Sequence, residues 1–175
     1  MKVILVMVTS VDGKSTKGRL APNKWASTED QRHFFTLLKM SPLVIMGRKT
    51  YEAARSSMEL SPHTMRVVVT SYPERFLNDR VPGILEFTKD DVKQIVSSYR
   101  ERGYTQMLVL GGERLNKAFF ENSLIEEIWL TIEPRLFGMG KGIVGNIDLD
   151  IRLQLLDIQT LNACGTLLLK YKVVK

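Results

Sequence analysis

Leu43-Val44-Ile45-Met46-Gly47-Arg48-Lys49-Thr50 sets four apolar residues against a glycine and a basic, hydroxyl-bearing run. The same order returns at Leu108-Val109-Leu110-Gly111-Gly112-Glu113-Arg114. A short continuous apolar run suits a strand buried on both faces. Helices are expected behind both turns, over Tyr51 to Met58 and over Glu113 to Asn122. Glycine at such a turn lets the backbone come close to a ligand, and a first helical turn offers unpaired N–H groups to an anion. Ligands of open α/β sheets lie beyond the carboxyl ends of the strands, so two such turns can hold opposite sides of one pyrophosphate. Neither is a GxGxxG fingerprint or a P-loop, and taken singly each is also a plain tight connection.

Outward from these turns the chain keeps alternating. Val3 to Val8 reads as a buried strand that ends in the turn Thr9-Ser10-Val11-Asp12-Gly13, and Lys14 to Lys24 as a polar loop. A helix starts at Thr28 with Glu29 and Asp30 where the dipole favours acids, carries Phe34, Leu37 and Leu38 at helical spacing, and stops at Ser41-Pro42. Arg66 to Val69 is a strand closing in Thr70-Ser71-Tyr72-Pro73. Ile84 to Phe87 is a weaker strand after the Pro82-Gly83 turn. Asp90 to Arg102 is a helix ended by Gly103. Met107 to Leu110 is a strand, and Ile125 to Ile132, Leu153 to Thr160 and Thr166 to Val173 form a strand-rich remainder. The expected fold is a single α/β domain over residues 1–175: three layers, α/β/α, on a mixed sheet, mainly parallel with antiparallel C-terminal edge strands.

Composition narrows the classes. The 175 residues, 44% hydrophobic and 25% charged, are typical of a folded domain, and the longest apolar run is far too short to cross a bilayer. One cysteine and two histidines exclude a disulfide framework, a thiolate zinc site and a histidine-rich centre; no metal is expected. No signal-peptide pattern follows Met1-Lys2, so a cytoplasmic location is expected. The net charge of +6 suits phosphate-bearing ligands. Its basic residues are scattered without recognition aromatics, which argues against nucleic acid. The densest group, Lys14, Lys17, Arg19 and Lys24, reads equally as a solvated loop or a ligand-facing one. Thr70 and Ser71, with Arg48, supply hydroxyls and a guanidinium suited to a 2′-phosphate, which would select NADPH over NADH; a plain turn is the alternative.

With three strand ends in this order the chain resembles the dihydrofolate-reductase superfamily over nearly its whole length. Val44 to Glu52 is similar to that family's segment on the cofactor phosphates, and Val67-Val68-Val69-Thr70-Ser71 to its 2′-phosphate strand. Val109 to Arg114 is similar to its glycine pair, joined in the family by a cis peptide. The resemblance implies a dihydrofolate-reductase-like fold and an NADPH site made of Val8, Thr9, Gly47, Arg48, Lys49, Thr50, Thr70, Ser71, Leu110, Gly111, Gly112, Glu113, Arg114 and Leu115. Other segments look more like the riboflavin-pathway reductase branch, the C-terminal domain of bifunctional deaminase-reductases. These are Thr9 to Lys14, Lys24 to Arg32, Leu124 to Ile128, Pro134 to Gly140 and Gly165 to Tyr171. That branch usually carries an acid where this chain has Leu110. Its phosphate loop also differs from Gly47-Arg48-Lys49-Thr50, which is closer to the folate enzymes. These 175 residues carry no zinc signature of the deaminase often fused to that branch, and lack the Gly-Asp and Phe-Pro pattern of true folate reductases.

The activity implied is NADPH-dependent reduction of 5-amino-6-(5-phosphoribosylamino)uracil or a close ribosylaminopyrimidine phosphate, with hydride delivered to the sugar's C1. Asp30, five residues after Trp25, stands where a folate reductase keeps its pterin-binding carboxylate, and Thr131 aligns with the supporting hydroxyl. Asp30 and Glu29 are the catalytic candidates; Ser10, Asp12, Lys14, Trp25, Ser27, Arg32 and Thr131 are the substrate candidates, with Arg32 or Lys14 pairing a phosphate. The plainer readings are that Glu29 and Asp30 serve a helix N-terminus, Asp12 forms a turn and Trp25 packs. His33 is expected on a helix surface and Cys164 as a small buried hydrophobe. A pterin reductase and a non-catalytic NADPH-binding protein are the alternatives, and a homodimer is expected by family analogy.

Overall fold

Eight strands form one sheet in the order β4-β3-β2-β5-β1-β6-β8-β7. The computed structural model describes residues 1–18 and 25–174. Arg19 and Lys24 of the basic group lie outside the described residues. The strands are β1 (Lys2–Ser10), β2 (Leu43–Gly47), β3 (Met65–Val69), β4 (Leu85–Thr88), β5 (Gln106–Val109), β6 (Glu127–Glu133), β7 (Arg152–Thr160) and β8 (Leu167–Val174). Between them run α1 (Thr28–Met40), α2 (Arg48–Ala54), α3 (Val92–Glu101) and α4 (Glu113–Glu121). β1 to β6 pair parallel, and β8 pairs antiparallel with both β6 and β7. This is the mixed, three-layer sheet expected of a dihydrofolate-reductase-like fold.

Apolar runs without alternation pack on both sides because successive side chains point to opposite faces. Val3, Leu5, Ile45, Val67 and Val109 meet Val92, Ile95 and Val96 of α3 and Leu115 and Phe119 of α4. Ile4, Val44, Met46, Val68 and Leu108 meet Tyr51 of α2, with Leu37 and Leu38 of α1 at the margin. Local caps agree with these boundaries: Asp91 and Gln94 form a capping box at α3, and the Ser27 hydroxyl accepts from the Asp30 N–H at α1.

Several boundaries differ from expectation. β1 runs on to Ser10, burying Thr9 and Ser10, because β6 continues beside it. α2 starts at Arg48 and gives way to a 3₁₀ turn at Arg55–Ser57. The Thr70–Pro73 turn leads into a second 3₁₀ turn at Pro73–Phe76, held by Phe76 stacking on Phe87 at 4.8 Å. Cys164 is exposed, not buried: it sits in the β7–β8 turn, where the Asn162 side chain accepts its N–H. His33 is half-buried rather than on the helix surface, since it lies one turn after buried Asp30 on the sheet-facing side of α1. No described helix is long and apolar enough to cross a membrane.

Candidate active site

β1 outruns its neighbour β5. Their pairing ends at Leu5 and Val109, after which β1 continues to Ser10 against β6 alone. The β5-side edge of Met7, Val8 and Thr9 therefore passes Gly111 and Gly112 without a strand partner among the described residues. The two glycine turns meet at the same edge. Gly47 donates its N–H to Gly111 O at 2.7 Å. A Cβ on Gly47 would lie 3.6 Å from Gly112 N, and one on Gly112 would lie 3.5 Å from Thr50 Oγ1. The Gly111–Gly112 peptide is cis.

The third strand end falls beside them through register. Gly47 pairs with Val69, so Arg48 and Thr70 leave the sheet side by side. Arg48 holds Glu52 one turn along α2 in two bonds of 2.7 and 2.8 Å. The Thr70 hydroxyl is buried and accepts from Tyr72 N–H, whereas Ser71 and Lys49 are exposed. At α4, Arg114 is exposed, Leu115 is in the core, and the Glu113 side chain packs on Gly145. Leu110 is half-buried, its N–H bonded to Ile45 O. Two glycines closing on each other, each followed by a helix start, leave bare backbone that a diphosphate fits.

On the α1 side of this edge, the loop after β1 is stitched to the loop after β6. Asp12 accepts from Ser10 Oγ at 2.5 Å, Gly138 N–H at 2.8 Å and Phe137 N–H at 3.1 Å. These bonds, the one from Ser10 first, hold its carboxyl down at about 2. Ser15 N–H and hydroxyl both reach Lys141 O, and a Cβ on Gly140 would collide with the Thr16 carbonyl. The Lys14 backbone closes the turn with Ser10. Trp25 is buried edge-to-face on Phe137 at 4.8 Å, so packing uses its ring.

Between α1 and the end of β6 the site's wall is acidic and buried. α1 carries only one fully buried residue, and it is Asp30. Burial, opposed by the Thr131 hydroxyl and reinforced by the Glu133 charge, pushes the Asp30 carboxyl up to about 6. Glu133 is 4% exposed and Asp30 6%. Glu133 accepts from Ser27 N–H at 2.8 Å and from the Thr166 hydroxyl at 2.9 Å. Asn162 Nδ2 lies 3.0 Å from Thr166 Oγ1 and 3.3 Å from Glu29 Oε2, so half-buried Glu29 joins the same chain of bonds. Its carboxyl is lowered from the ordinary value by hydrogen bonds, its own backbone N–H first and Asn162 next. Arg32 is exposed on the outer side of α1.

Glu133 is the residue that sequence reasoning missed. An acid in a strand usually marks the solvent face, but Glu133 follows Thr131 by two and so shares its face. The parity from Trp129 through Thr131 to Glu133 was the available signal.

The family model for the RibD C-terminal domain matches residues 1–167. No curated protein sequence matches the chain. Among solved structures, a riboflavin biosynthesis protein from Shewanella sp. PV-4 is 18% identical with a TM-score of 0.77, each chain covered in full. A pyrimidine reductase-like protein from Corynebacterium diphtheriae is 14% identical with a TM-score of 0.77, over 99% of this chain and 92% of that one. The deaminase/5-amino-6-(5-phosphoribosylamino)uracil reductase of Thermotoga maritima is 14% identical with a TM-score of 0.76. There the chain is covered over 99% of its length but spans only 56% of its neighbour. At these identities the structures share the fold, while the family match spans nearly the whole sequence. The chain belongs to the RibD C-terminal domain family.

Proposed function

We propose that the protein is an NADPH-dependent reductase of a ribosylaminopyrimidine phosphate, 5-amino-6-(5-phosphoribosylamino)uracil being the first substrate to try. The observation that carries this reading is the meeting of Gly47 and Gly111–Gly112 beside the edge of β1 that lacks a strand partner among the described residues. Family membership, a neighbour described as a riboflavin biosynthesis protein and one described as a 5-amino-6-(5-phosphoribosylamino)uracil reductase support the same reading. Gly47 to Thr50 and Gly111 to Leu115 would hold the dinucleotide's phosphates, Arg48, Thr70 and Ser71 the 2′-phosphate, and Val8 and Thr9 the edge of the nicotinamide. The cofactor supplies the hydride; the protein orients the rings and excludes water. Burial pushes the Asp30 carboxyl up to about 6, so it keeps its proton in mildly acidic solution and titrates close to the working range, as suits a general acid. Lys14 and Arg32 are the cations for a substrate phosphate.

The test is NADPH oxidation by purified protein with that pyrimidine. Cofactor binding without oxidation removes the substrate, and no binding removes the reductase. Arg48→Ala is expected to weaken NADPH by about tenfold, as for one charge-assisted contact, and NADH little. Equal losses for both would dismiss the 2′-phosphate role.

A homodimer fits the sheet's outer edge. Leu153, Leu155, Leu156 and Ile158 of β7, the edge strand of the sheet among the described residues, and Val174 of β8 beside it are all exposed. An uncovered apolar edge of this kind is a liability that a second copy removes. Ile158→Lys together with Leu156→Lys should halve the mass seen by light scattering; an unchanged mass places the contact elsewhere.

A further inference from the structure

Asp30 and Glu133 reach one buried face from opposite elements. β6 presents Trp129, Thr131 and Glu133 to α1, and β8 continues that face, Lys170 opposite Trp129 and Leu168 opposite Thr131. Thr166, next in this register, bonds Glu133 directly. Neither carboxyl makes an ion pair among the described residues. Two buried carboxyls with no ion-pair partner among the described residues cannot both be charged at low cost. Donors decide which one yields. Glu133 has one on each oxygen, the Ser27 N–H and the Thr166 hydroxyl, and is built as the acceptor. Among the described residues Asp30 has the Thr131 hydroxyl as its donor.

The remaining charges on this face lie to one side. On α1, Glu29 is bonded to Asn162, Arg32 is exposed, and His33 stands one turn further along, facing Lys170. Lys170 of β8 is paired with Asp157 of β7 and lies 5.0 Å from the Trp129 ring centroid. Asp12, in the loop after β1, is engaged by Ser10, Phe137 and Gly138. Among the described residues Glu133 is the charged neighbour that acts on Asp30.

We propose that Glu133 is a positioning residue that keeps the site's single proton on Asp30, with Ser27 and Thr166 fixing Glu133 as the permanent acceptor. The use made of that proton rests on the reductase reading; the pairing does not. In the open-chain form of the substrate the C1–O ring bond has broken, the ring oxygen has taken the amine's proton and C1 is doubly bonded to nitrogen. With a reduced nicotinamide dinucleotide as hydride source, that C1 gains a C–H bond. The C=N electron pair moves to nitrogen, which takes the proton from Asp30. One O–H bond breaks and one N–H bond forms, and the Asp30 carboxylate recovers its proton from water.

The experiment is a carboxyl ¹³C NMR titration of the full-length protein, with Asp30 assigned from Asp30→Asn. The wild-type midpoint is expected near 6. In Glu133→Gln it is expected to fall by about one pH unit, while Glu133→Asp, shorter but still charged, restores most of the difference. Should Glu133→Gln fail to fold, Glu133→Met fills similar volume without charge and is expected to give the same fall. An Asp30 midpoint that stays put in a folded, uncharged Glu133 variant overturns the proposal. With substrate, the fall of kcat with rising pH should begin about one unit lower in the same variant, that alkaline limb moving with the midpoint, while KM and NADPH affinity hold. The titration needs neither cofactor nor substrate. A moved midpoint in a protein that does not bind NADPH would therefore remove the reductase and leave the pair intact.

Discussion

Gly112→Val should fold normally and bind NADPH at least about a hundredfold more weakly, a loss of about 2.7 kcal/mol. Gly112 has φ −78° and ψ −167°, extended backbone that valine accepts readily. The Cβ would point into the gap between the two glycine turns, 3.5 Å from Thr50 Oγ1, an ordinary contact. It would fill the space that the diphosphate needs while leaving the hydrophobic core alone. Gly111→Ala should behave differently. Gly111 has φ +79°, and its Cβ would lie 3.3 Å from Met7 Sδ and 3.5 Å from both polar atoms of the Asn116 side chain. That variant should lose about 1–2 kcal/mol of stability from the backbone alone. Calorimetric titration with NADPH and thermal melting of both variants separate the two effects. If Gly112→Val keeps wild-type affinity, the diphosphate does not lie between these turns.

The contrast between those neighbouring glycines bears on what a sequence discloses. Two strand–glycine–helix turns were legible because continuous apolar runs and glycines are local signals. Their meeting depends on register: Gly47 pairs with Val69, and Gly47 N–H reaches Gly111 O. Fold class was readable for the same reason, since Val3 to Val8, Leu43 to Met46 and Met107 to Leu110 read as buried strands at once. The 3₁₀ turn at Pro73–Phe76 was not, because its anchor is the tertiary stack of Phe76 on Phe87.

The acid wall was half visible. Asp30 stood out only through the resemblance, its place after Trp25 matching a folate reductase's carboxylate, and at a helix start it read equally as a dipole partner. The structure gives Ser27 the cap and turns Asp30 inward. Glu133 was hidden because burying an acid needs donors from distant segments. Ser27 and Thr166 supply them from 106 and 33 residues away. Asn162 was equally hidden: it joins Glu29 to Thr166 only once the β7–β8 turn has formed.

Asp30→Asn is expected to make the protein more stable at pH 8 and nearly inactive. A carboxyl raised from 3.8 to about 6 by burial binds its proton more tightly in the folded state than in the unfolded one. Between pH 4 and 6 the unfolded chain has released that proton and the folded one retains it, so stability falls as pH rises through this window. Above about pH 6 the folded protein bears the full penalty, of order 3 kcal/mol at most and about 1–3 kcal/mol after local relaxation. Asparagine carries no charge to bury. Urea denaturation should therefore give near-equal stabilities at pH 4 and a gain for the variant at pH 8. If Asp30 is the proton donor proposed above, the same change should drop kcat by about 10²–10⁴, the range of general acid catalysis. A residue whose loss stabilises the fold while silencing the reaction is being kept for chemistry. A stability loss at pH 8 would show that the Asp30 carboxylate holds the fold together, and full activity would place the donor elsewhere.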